Sequence, residues 1–363
     1  MTNKRLNVGL IGLGEVAQVI HLPVLQSLPE QYRIAAICDI SQKLVEQIGS
    51  QYNVENLYTD MNELVKQADL DIVFVLNSDE YHAECAIQAA NNKKHVFIEK
   101  PMCLTNSEAD AIIEARDRNG VQIMIGYMRR YAASFVQAVQ EIGGMDNITY
   151  ARVRDIIGQN HFFIRPTSRT VSFDDIPEAA KKDRSERAER LGREATGLEP
   201  ENPLFGFYRL LAGLGSHDLS AMREAIGMPK AVLAAKLSTH SDSIFLNALF
   251  DYGTFSVTYE MGMDQQGRFD AHVEVYASRK SVKVQYDTPY IRHLPTKLLV
   301  NETEGETYTE SVIRPTFTDS YTLELKYLHE VITQNLTPKT TVEDSKEDLK
   351  IYQMVMDALK ASQ

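Results

Sequence analysis

The segment GLGEVA, residues 12–17, constrains the fold of this chain more than any other. It directly follows a short apolar run, LNVGLI, and precedes a helical pattern. In this context the spacing G-x-G-x-x-A is typical of a strand–turn–helix that binds a dinucleotide. Gly12 makes the tight turn, Gly14 lets a pyrophosphate approach the backbone, and Ala17 allows close packing of helix on strand. The helix N-terminus then offers unpaired N–H groups and a positive dipole end to the phosphates.

A second signal for dinucleotide binding is Asp39, which ends the next apolar run, RIAAIC. An acid about 20 residues after the glycines accepts hydrogen bonds from the adenosine ribose hydroxyls. Its charge would repel a 2′-phosphate, which favours NAD. Ser41 and Lys43 follow and could soften that preference, so NAD is the predicted cofactor and NADP stays open.

Short apolar runs rich in Val and Ile alternate with helical patterns through the first 126 residues. The runs lie at 6–11, 33–38, 71–76, 95–99 and 121–125, and the helical patterns near 15–28, 41–50, 60–68, 80–92 and 106–119. Such runs suit strands buried on both faces of a parallel sheet. We therefore predict a doubly wound α/β domain over residues 1–126.

The pattern changes in residues 127–363, which we assign to a second domain. Alternating runs from 230 to 315 predict an antiparallel sheet, whose apolar face must bury against helices or another subunit. A strand is expected at 148–157 and two helices at 319–334 and 343–361. The charged insertion near 158–205, with a helix near 177–195, has two interpretations: a solvated surface segment without chemistry, or a lid over a cleft.

Composition excludes several classes of protein. A length of 363 residues favours two domains. A net charge of −12 and a pI of about 5.3 argue against nucleic-acid or membrane-surface partners. No apolar run approaches the roughly 20 residues that span a bilayer. The three cysteines and nine histidines lack metal-ligand spacing, so we expect no metal, free thiols and a cytoplasmic location.

Several motifs in succession resemble the Gfo/Idh/MocA oxidoreductases, the family of glucose–fructose oxidoreductase and inositol dehydrogenase. After the glycine turn and Asp39 come Asn77 and His82, then Glu99-Lys100-Pro101 within KKHVFIEKPMCLTNSEADAI, then GYMRR from Gly126. The C-terminal half adds Gly215-Ser216-His217 and the tail ELKYLHEVITQN. The resemblance covers most of the chain and is weak only across about 158–205.

The resemblance implies a Rossmann domain followed by an α/β domain with a large, mostly antiparallel open sheet, through which a homodimer or homotetramer forms. It implies an NAD(P)-dependent oxidoreductase that acts on a hydroxyl of a sugar, cyclitol or related polyol. Lys100 would contact the reacting hydroxyl, His217 would accept its proton, and Tyr127 is a candidate for substrate contact. The Lys100–Pro101 peptide is often cis in such proteins.

The cofactor contacts that the motifs and the resemblance imply form one set. They are Gly12, Gly14, Glu15, Val16, Ala17, Asp39, Ile40, Asn77, Ser78, His82, Glu99 and Lys100. His82 has an alternative, structural role at a helix start. Arg129 and Arg130 are expected to be ion-paired. By position alone, His161, Arg165, Tyr208 and Arg209 are also candidates for a cleft.

The sequence departs from the family pattern beside His217. Relatives usually carry an aspartate four residues earlier, where this chain has Gly213, and often one three residues later, where it has Ser220. Three explanations remain: an acid from the insertion, Asp174 or Asp175, approaches; Lys100 carries the proton transfer with His217 orienting substrate, which we favour; or the family reaction is lost. The last would make the chain a non-catalytic NAD-binding regulator. A third class of function is an NAD-assisted glycosidase.

Overall fold

The structure is a computed structural model, and it describes residues 4–362. Strands and helices are numbered in chain order. The strands are β1 (Leu6–Ile11), β2 (Tyr32–Cys38), β3 (Asn56–Tyr58), β4 (Ile72–Val75), β5 (His95–Glu99), β6 (Ile123–Gly126), β7 (Tyr150–Gly158), β8 (Ala231–His240), β9 (Ser243–Asp251), β10 (Ser256–Asp264), β11 (Phe269–Tyr276), β12 (Lys280–Tyr286), β13 (Lys297–Glu304) and β14 (Thr307–Ile313). The α-helices are α1 (Leu22–Ser27), α2 (Gln42–Tyr52), α3 (Met61–Val65), α4 (His82–Asn91), α5 (Asn106–Asn119), α6 (Ala133–Gly143), α7 (His161–Thr167), α8 (Glu178–Thr196), α9 (Pro203–Leu210), α10 (Ser216–Ile226), α11 (Ser320–Gln334) and α12 (Val342–Ala361).

The chain forms two compact units. The first comprises the residues up to Gly126 together with Ser168–Arg209 and Glu324–Leu349, and the second comprises the remaining stretches. The sequence prediction placed everything after residue 126 in the second domain, so the first unit extends beyond that boundary. The cause is a set of long-range hydrogen bonds, such as the one from the Tyr32 hydroxyl to the Leu325 carbonyl (2.6 Å).

The first unit contains a six-stranded parallel sheet in the order β3-β2-β1-β4-β5-β6, with helices between successive strands. This is the doubly wound sheet that the sequence predicted. Every residue of β4 is buried, as the apolar runs require. Strand β3 was not predicted, because it has three residues and is mostly exposed at the sheet edge. The turns after β1, β2, β4 and β5 lie at the carboxyl edge, where ligands bind in open α/β sheets.

The second unit contains an eight-stranded sheet in the order β14-β13-β12-β11-β7-β10-β9-β8. All neighbouring pairs are antiparallel except β7 and β10, which run parallel, so the predicted mostly antiparallel sheet is confirmed. Its apolar face, which includes Val153, Tyr259 and Val273, is buried. Helix α6 contacts β12, and α10 contacts β7 and β11, so helices cover strands of this sheet.

The opposite face of that sheet carries charged side chains. Glu260 pairs with Arg152 (2.6 Å) and Arg154 (2.8 Å), and Arg154 also pairs with Asp270 (2.9 Å). Although partial burial opposes it, hydrogen bonding to the two arginines lowers the pKa of Glu260 to about 2. Among residues 4–362, the structure contains no helix that is long and apolar enough to cross a membrane.

Candidate dinucleotide-binding site

The turn after β1 requires glycine at position 12. Gly12 has φ of +94°, in the region that L side chains rarely adopt. Its N–H donates to the Cys38 carbonyl at 2.8 Å. A Cβ on Gly12 would lie 2.5 Å from the Asn77 nitrogen and 2.7 Å from the Leu76 carbonyl carbon. Both are backbone atoms at the end of β4, so this turn accepts no side chain.

Gly14 leaves the outer side of the same turn open. A Cβ on Gly14 would meet no atom within 4 Å, whereas the Ala17 side chain is fully buried. Ala17 begins a π-helical turn, Ala17–His21, which continues directly into α1. The two small residues therefore have the predicted roles. Ala17 packs inward, and Gly14 leaves beside the helix start the space that a pyrophosphate would need.

Asp39 links the glycine turn to the start of α2. One carboxylate oxygen accepts a hydrogen bond from the Leu13 N–H at 2.8 Å, and the other accepts from the Ser41 N–H at 3.0 Å. A carboxylate has about four lone-pair sites, so Asp39 retains acceptor capacity for ribose hydroxyls. The half-buried position beside the turn matches the role that the sequence predicted.

His82 connects two of the predicted site turns. Its Nδ1 lies 2.7 Å from the Pro101 carbonyl oxygen, and its Nε2 lies 3.0 Å from that of Asn77. The side chain is buried, and both ring nitrogens face backbone acceptors. These contacts favour the structural role for His82, because it holds the turn with Asn77 and Ser78 to the turn with Lys100.

A cavity of about 650 Å³ opens beside these turns, a size typical of small-molecule sites. Of the predicted cofactor contacts, the lining includes Gly12, Gly14, Glu15, Val16, Asp39, Ile40, Asn77 and Ser78. It does not include Ala17, His82, Glu99 or Lys100. Partial burial raises the pKa of the Glu15 carboxyl. The remaining wall of the cavity comes from residues that the motifs did not indicate.

Part of that wall comes from the charged insertion, and we name residues 171–187 the wall segment. It contributes Ile176, Ala180, Lys181, Arg184 and Arg187 to the cavity lining. A sequence signal for it existed: Ala180, Arg184 and Arg187 recur at helical spacing on one face of α8. Because these residues line the cavity, this stretch favours the interpretation of the insertion as a lid, which stays a prediction.

Hydrogen bonds fix the wall segment at both ends. At its start, the backbone N–H and carbonyl of Val171 bond the side-chain amide of Gln18 (2.9 and 3.0 Å). On α8, Arg184 donates to Glu80 (2.7 Å) and to the Ser78 hydroxyl (2.9 Å). The segment is thus attached to the turn region after β1 and to the turn after β4, on either side of the cavity.

Three further contacts hold α8. The Tyr81 hydroxyl donates to Asp183 at 2.8 Å, and Arg187 donates to Glu84 at 2.5 Å. The Arg187 guanidinium also lies 4.7 Å from the centre of the Tyr81 ring, a cation–π distance. Tyr81, Glu84 and Arg187 line the cavity, so the residues that hold α8 in place also form part of the cavity wall.

Lys100 follows β5 directly and is half-buried. Its backbone N–H donates to a Glu99 carboxylate oxygen at 3.0 Å, and the other oxygen lies 2.7 Å from His21 Nε2. Burial opposes ionisation of Glu99, but hydrogen bonding and the charge of His21 lower its pKa overall. Glu99 therefore supports the Lys100 turn from inside the sheet. The Lys100–Pro101 peptide is cis, as the resemblance implies.

His217 lies in the second unit, in the first turn of α10, and is half-buried. The adjacent Asp218 is fully buried and pairs with Arg129, which also donates to Asp155 at 3.1 Å. The predicted ion pairing of Arg129 is confirmed, and that of Arg130, with Glu224, is too. Asp218 is thus committed to a buried ion pair and does not supply the missing acid.

The two acids considered in the insertion have different surroundings. Asp175 accepts hydrogen bonds from the Ser41 hydroxyl and from the Lys43 N–H (3.0 Å) within the first unit. Asp174 is exposed. The Asp175 carboxylate is thus bound at the start of α2, which argues against the alternative in which it assists His217. At Gly213 itself, an added Cβ would meet no atom within 4 Å.

The remaining cleft candidates have structural contacts or exposed positions. The Tyr208 hydroxyl donates to the Leu104 carbonyl at 2.6 Å, and Arg209 pairs with Asp79 and Glu80. In the second unit the His161 ring lies 4.2 Å from the Phe162 ring, and Arg165 is exposed. Tyr127 is buried beneath the Arg130 guanidinium, 5.9 Å from its ring centre. Its proposed contact with substrate stays a prediction.

The comparison with protein families identifies the N-terminal part of the chain. Residues 6–127 match the model of the Gfo/Idh/MocA family, described as an oxidoreductase family with an NAD-binding Rossmann fold. Inositol 2-dehydrogenase of Salmonella typhimurium is 34% identical over 134 residues, which are 36% of this chain and 40% of that protein. The match thus spans less than half the length of this curated relative.

Solved structures extend the likeness of the fold to the whole chain. The aldose–aldose oxidoreductase of Caulobacter crescentus superposes with a TM-score of 0.73 at 20% identity, covering 99% of each chain. The scyllo-inositol dehydrogenase of Lactobacillus casei gives a TM-score of 0.71 at 19% identity, covering 100% of this chain and 98% of that one. At this identity the likeness concerns the fold. Residues 6–127, which carry the glycine turn and Asp39, are therefore the part of the chain that matches the Gfo/Idh/MocA family of oxidoreductases.

Proposed function

We propose that this chain is an NAD(P)-dependent oxidoreductase that transfers a hydride between a nicotinamide cofactor and a hydroxyl-bearing carbon of a sugar, cyclitol or related polyol. The observation that carries the proposal is the glycine turn beside Asp39 at the opening of a cavity of about 650 Å³. The class of substrate follows from the relatives, which are named as inositol and aldose oxidoreductases.

The residues at the cavity fit a dinucleotide. The open space beside Gly14 and the helix start receives the pyrophosphate, and the Asp39 carboxylate accepts hydrogen bonds from the adenosine ribose. When bound, the nicotinamide supplies the hydride chemistry. The protein contributes position and water exclusion, to which the wall segment adds by lining the cavity.

The family resemblance implies that Lys100 and His217 both contact the substrate. Because Gly213 stands where relatives carry an aspartate, we assign the proton chemistry to Lys100 and the orientation of substrate to His217. Lys100 follows the last residue of β5, and Glu99 and the His82 contact with Pro101 fix its backbone. With its backbone fixed, the side chain of Lys100 begins at a defined place, and its flexible four-carbon stem lets the amine reach a substrate hydroxyl. His217 has no aspartate four residues earlier, which weakens it as a base and favours an orienting role.

We further propose that the protein assembles as a homodimer or homotetramer through the sheet of the second unit. Apolar residues are exposed there, including Leu233 (60% exposed), Leu249 (37%) and Val312 (55%). The register places Leu249, Thr258 and the ion-paired Arg152 and Glu260 on one face. Exposed apolar side chains on a sheet favour a surface that contacts another protein chain. Sedimentation at increasing protein concentration measures the state.

The cofactor assignment predicts that NAD binds more tightly than NADP. Asp39→Ala should lower the ratio of NAD affinity to NADP affinity about tenfold, because the repulsion between one charge near a surface and a 2′-phosphate is worth about 1–2 kcal/mol. Calorimetry with both dinucleotides measures the two affinities. Glu55→Ala, which removes an exposed acid of the same unit that does not line the cavity, is the matched control and should leave the ratio unchanged.

A panel of polyols and sugars, followed by absorbance of reduced nicotinamide, tests the reaction itself. Turnover of a polyol or sugar with either cofactor supports the proposal. A protein that binds neither NAD nor NADP would refute the proposal. Tight NAD binding with no turnover across the panel would instead favour the non-catalytic regulator.

The assignment of His217 predicts a modest loss on substitution. His217→Ala should lower kcat by only ten- to a hundredfold, about 1.4–2.8 kcal/mol of transition-state stabilisation, with the pH–rate profile keeping its shape. Gly213→Asp offers a second measurement, because an added Cβ there meets no atom within 4 Å.

An aspartate at position 213 raises the pKa of a neighbouring imidazole. If His217 were the obligatory base, Gly213→Asp would therefore move the acidic limb of the oxidation profile to higher pH. Under our assignment the limb stays in place. A His217→Ala rate as low as that of Lys100→Met, together with a shifted limb in Gly213→Asp, would overturn the orienting role.

A further inference from the structure

The N-terminus of α2 is occupied by a carboxylate from the wall segment. The Lys43 N–H, in the first turn of α2, donates to Asp175 Oδ2 at 3.0 Å, and the Ser41 hydroxyl donates to Asp175 Oδ1. Ser41 is also the N-cap of α2, because its hydroxyl oxygen accepts from the Leu44 N–H at 3.1 Å. An anion is the group that a helix N-terminus stabilises best. Here the protein provides that anion itself.

Ser41 lies between two carboxylates. Its N–H donates to Asp39 Oδ1 at 3.0 Å, while its hydroxyl donates to Asp175. Asp39 and Ile40 line the cavity, and so does Ile176, which directly follows Asp175. Asp175 is therefore at the rim of the cavity beside the residue that receives the adenosine ribose.

A 2′-phosphate would need the groups that Asp175 already uses. The phosphate of NADP projects from the ribose hydroxyl beside the acid after β2, and it requires N–H and hydroxyl donors and positive charge. At the start of α2 the donors include the Ser41 hydroxyl and the Lys43 N–H. Both are bound to Asp175.

We propose that Asp175 is a determinant of cofactor specificity: its carboxylate occupies the position of a 2′-phosphate, so that the site accepts NAD and rejects NADP. This inference rests on the proposed function, since it concerns the same cavity. It adds to the role of Asp39, because Asp39 binds the ribose directly whereas Asp175 both fills the adjacent anion position and repels a second anion.

The ionisation of Asp175 agrees with this role. Its hydrogen bond from the Lys43 N–H, followed by that from the Ser41 hydroxyl, lowers the pKa of the Asp175 carboxyl. The carboxylate is thus charged at neutral pH. Because the pKa is lowered, protonation and the loss of the repulsion require a more acidic solution than for an ordinary aspartate.

Calorimetry with NAD and with NADP tests the proposal on three variants. Asp175→Ala empties the anion position, Asp175→Asn keeps an acceptor but removes the charge, and Asp174→Asn removes the same charge from the exposed neighbour. We expect the NADP affinity of Asp175→Ala to rise, so that the ratio of NAD to NADP affinity falls about tenfold. Asp174→Asn should keep the wild-type ratio.

The ratio distinguishes specificity from general damage to the wall segment. If loss of Asp175 only loosened the segment, both dinucleotides would weaken together and the ratio would stay constant, which would overturn the inference. The wild-type ratio should also fall as ionic strength rises, because salt screens charge repulsion. A wild-type protein that binds neither dinucleotide would refute the proposed function, whereas one that binds NAD with an unchanged ratio in Asp175→Ala would refute this inference alone.

Discussion

Lys100→Met should lower turnover by roughly 10²- to 10⁴-fold, the usual contribution of a positioned proton-transfer group, and leave the affinity for NAD nearly unchanged. Methionine has a similar length but no amine to exchange a proton with a substrate hydroxyl. Lys100 does not line the cavity beside the glycine turn, so that wall stays intact in the variant. The rate of nicotinamide reduction and the calorimetric affinity together separate the two effects.

Lys66→Met is the matched control for this substitution. Lys66 is an exposed lysine of the first unit that pairs with Glu63 at 2.7 Å, so its replacement should change neither turnover nor cofactor affinity. A Lys100→Met protein that kept most of its activity on the true substrate would contradict the assignment. Equal losses of turnover and NAD affinity would assign Lys100 to cofactor binding instead.

The second large effect is expected at the glycine turn. Gly12→Val should abolish measurable dinucleotide binding and lower the free energy of unfolding by at least about 2 kcal/mol. Its Cβ would be 2.5 Å from the Asn77 nitrogen, and valine is strained at φ of +94°. Relief requires movement of the end of β4, which carries part of the cavity wall.

Two other glycines make the test specific. Gly206→Ala, in α9 with no atom within 4 Å of the added Cβ, should leave both stability and NAD affinity in place. Gly14→Ala is equally free of contact within the protein, so it should fold normally and yet bind NAD less tightly. If Gly12→Val kept normal thermal stability and NAD binding, the turn would tolerate a side chain, and the predicted clash with the Asn77 backbone would be contradicted.

The sequence was most informative where the chain repeats a local pattern. Alternating apolar runs predicted the parallel and antiparallel sheets. The helical pattern near 106–119 predicted α5, which begins at a reciprocal capping box of Thr105 and Glu108. The glycine turn and Asp39 were predicted because their spacing along the chain is characteristic of the strand–turn–helix that binds a dinucleotide. These features depend on neighbours within about 20 residues in sequence.

The residues that escaped prediction act across long separations. Arg184 and Arg187 bond partners more than 100 residues away in the chain, and nothing in the local pattern names those partners. A charged helix on its own has the composition of a solvated surface. Asp175 was noticed only as an acid, because its contact with Ser41 joins residues 134 positions apart.

The three-part construction of the first unit has a consequence for the order of events on the ribosome. The N–H of Ile125, in the edge strand β6, donates to the Thr340 carbonyl at 3.0 Å, and the Thr340 hydroxyl donates back to the Ile125 carbonyl at 2.8 Å. The domain that is synthesised first therefore keeps an unpaired sheet edge until residues 324–349 have left the exit tunnel. Unpaired strand edges are where nascent chains associate wrongly. The dinucleotide-binding unit is thus completed only after most of the second unit has been synthesised.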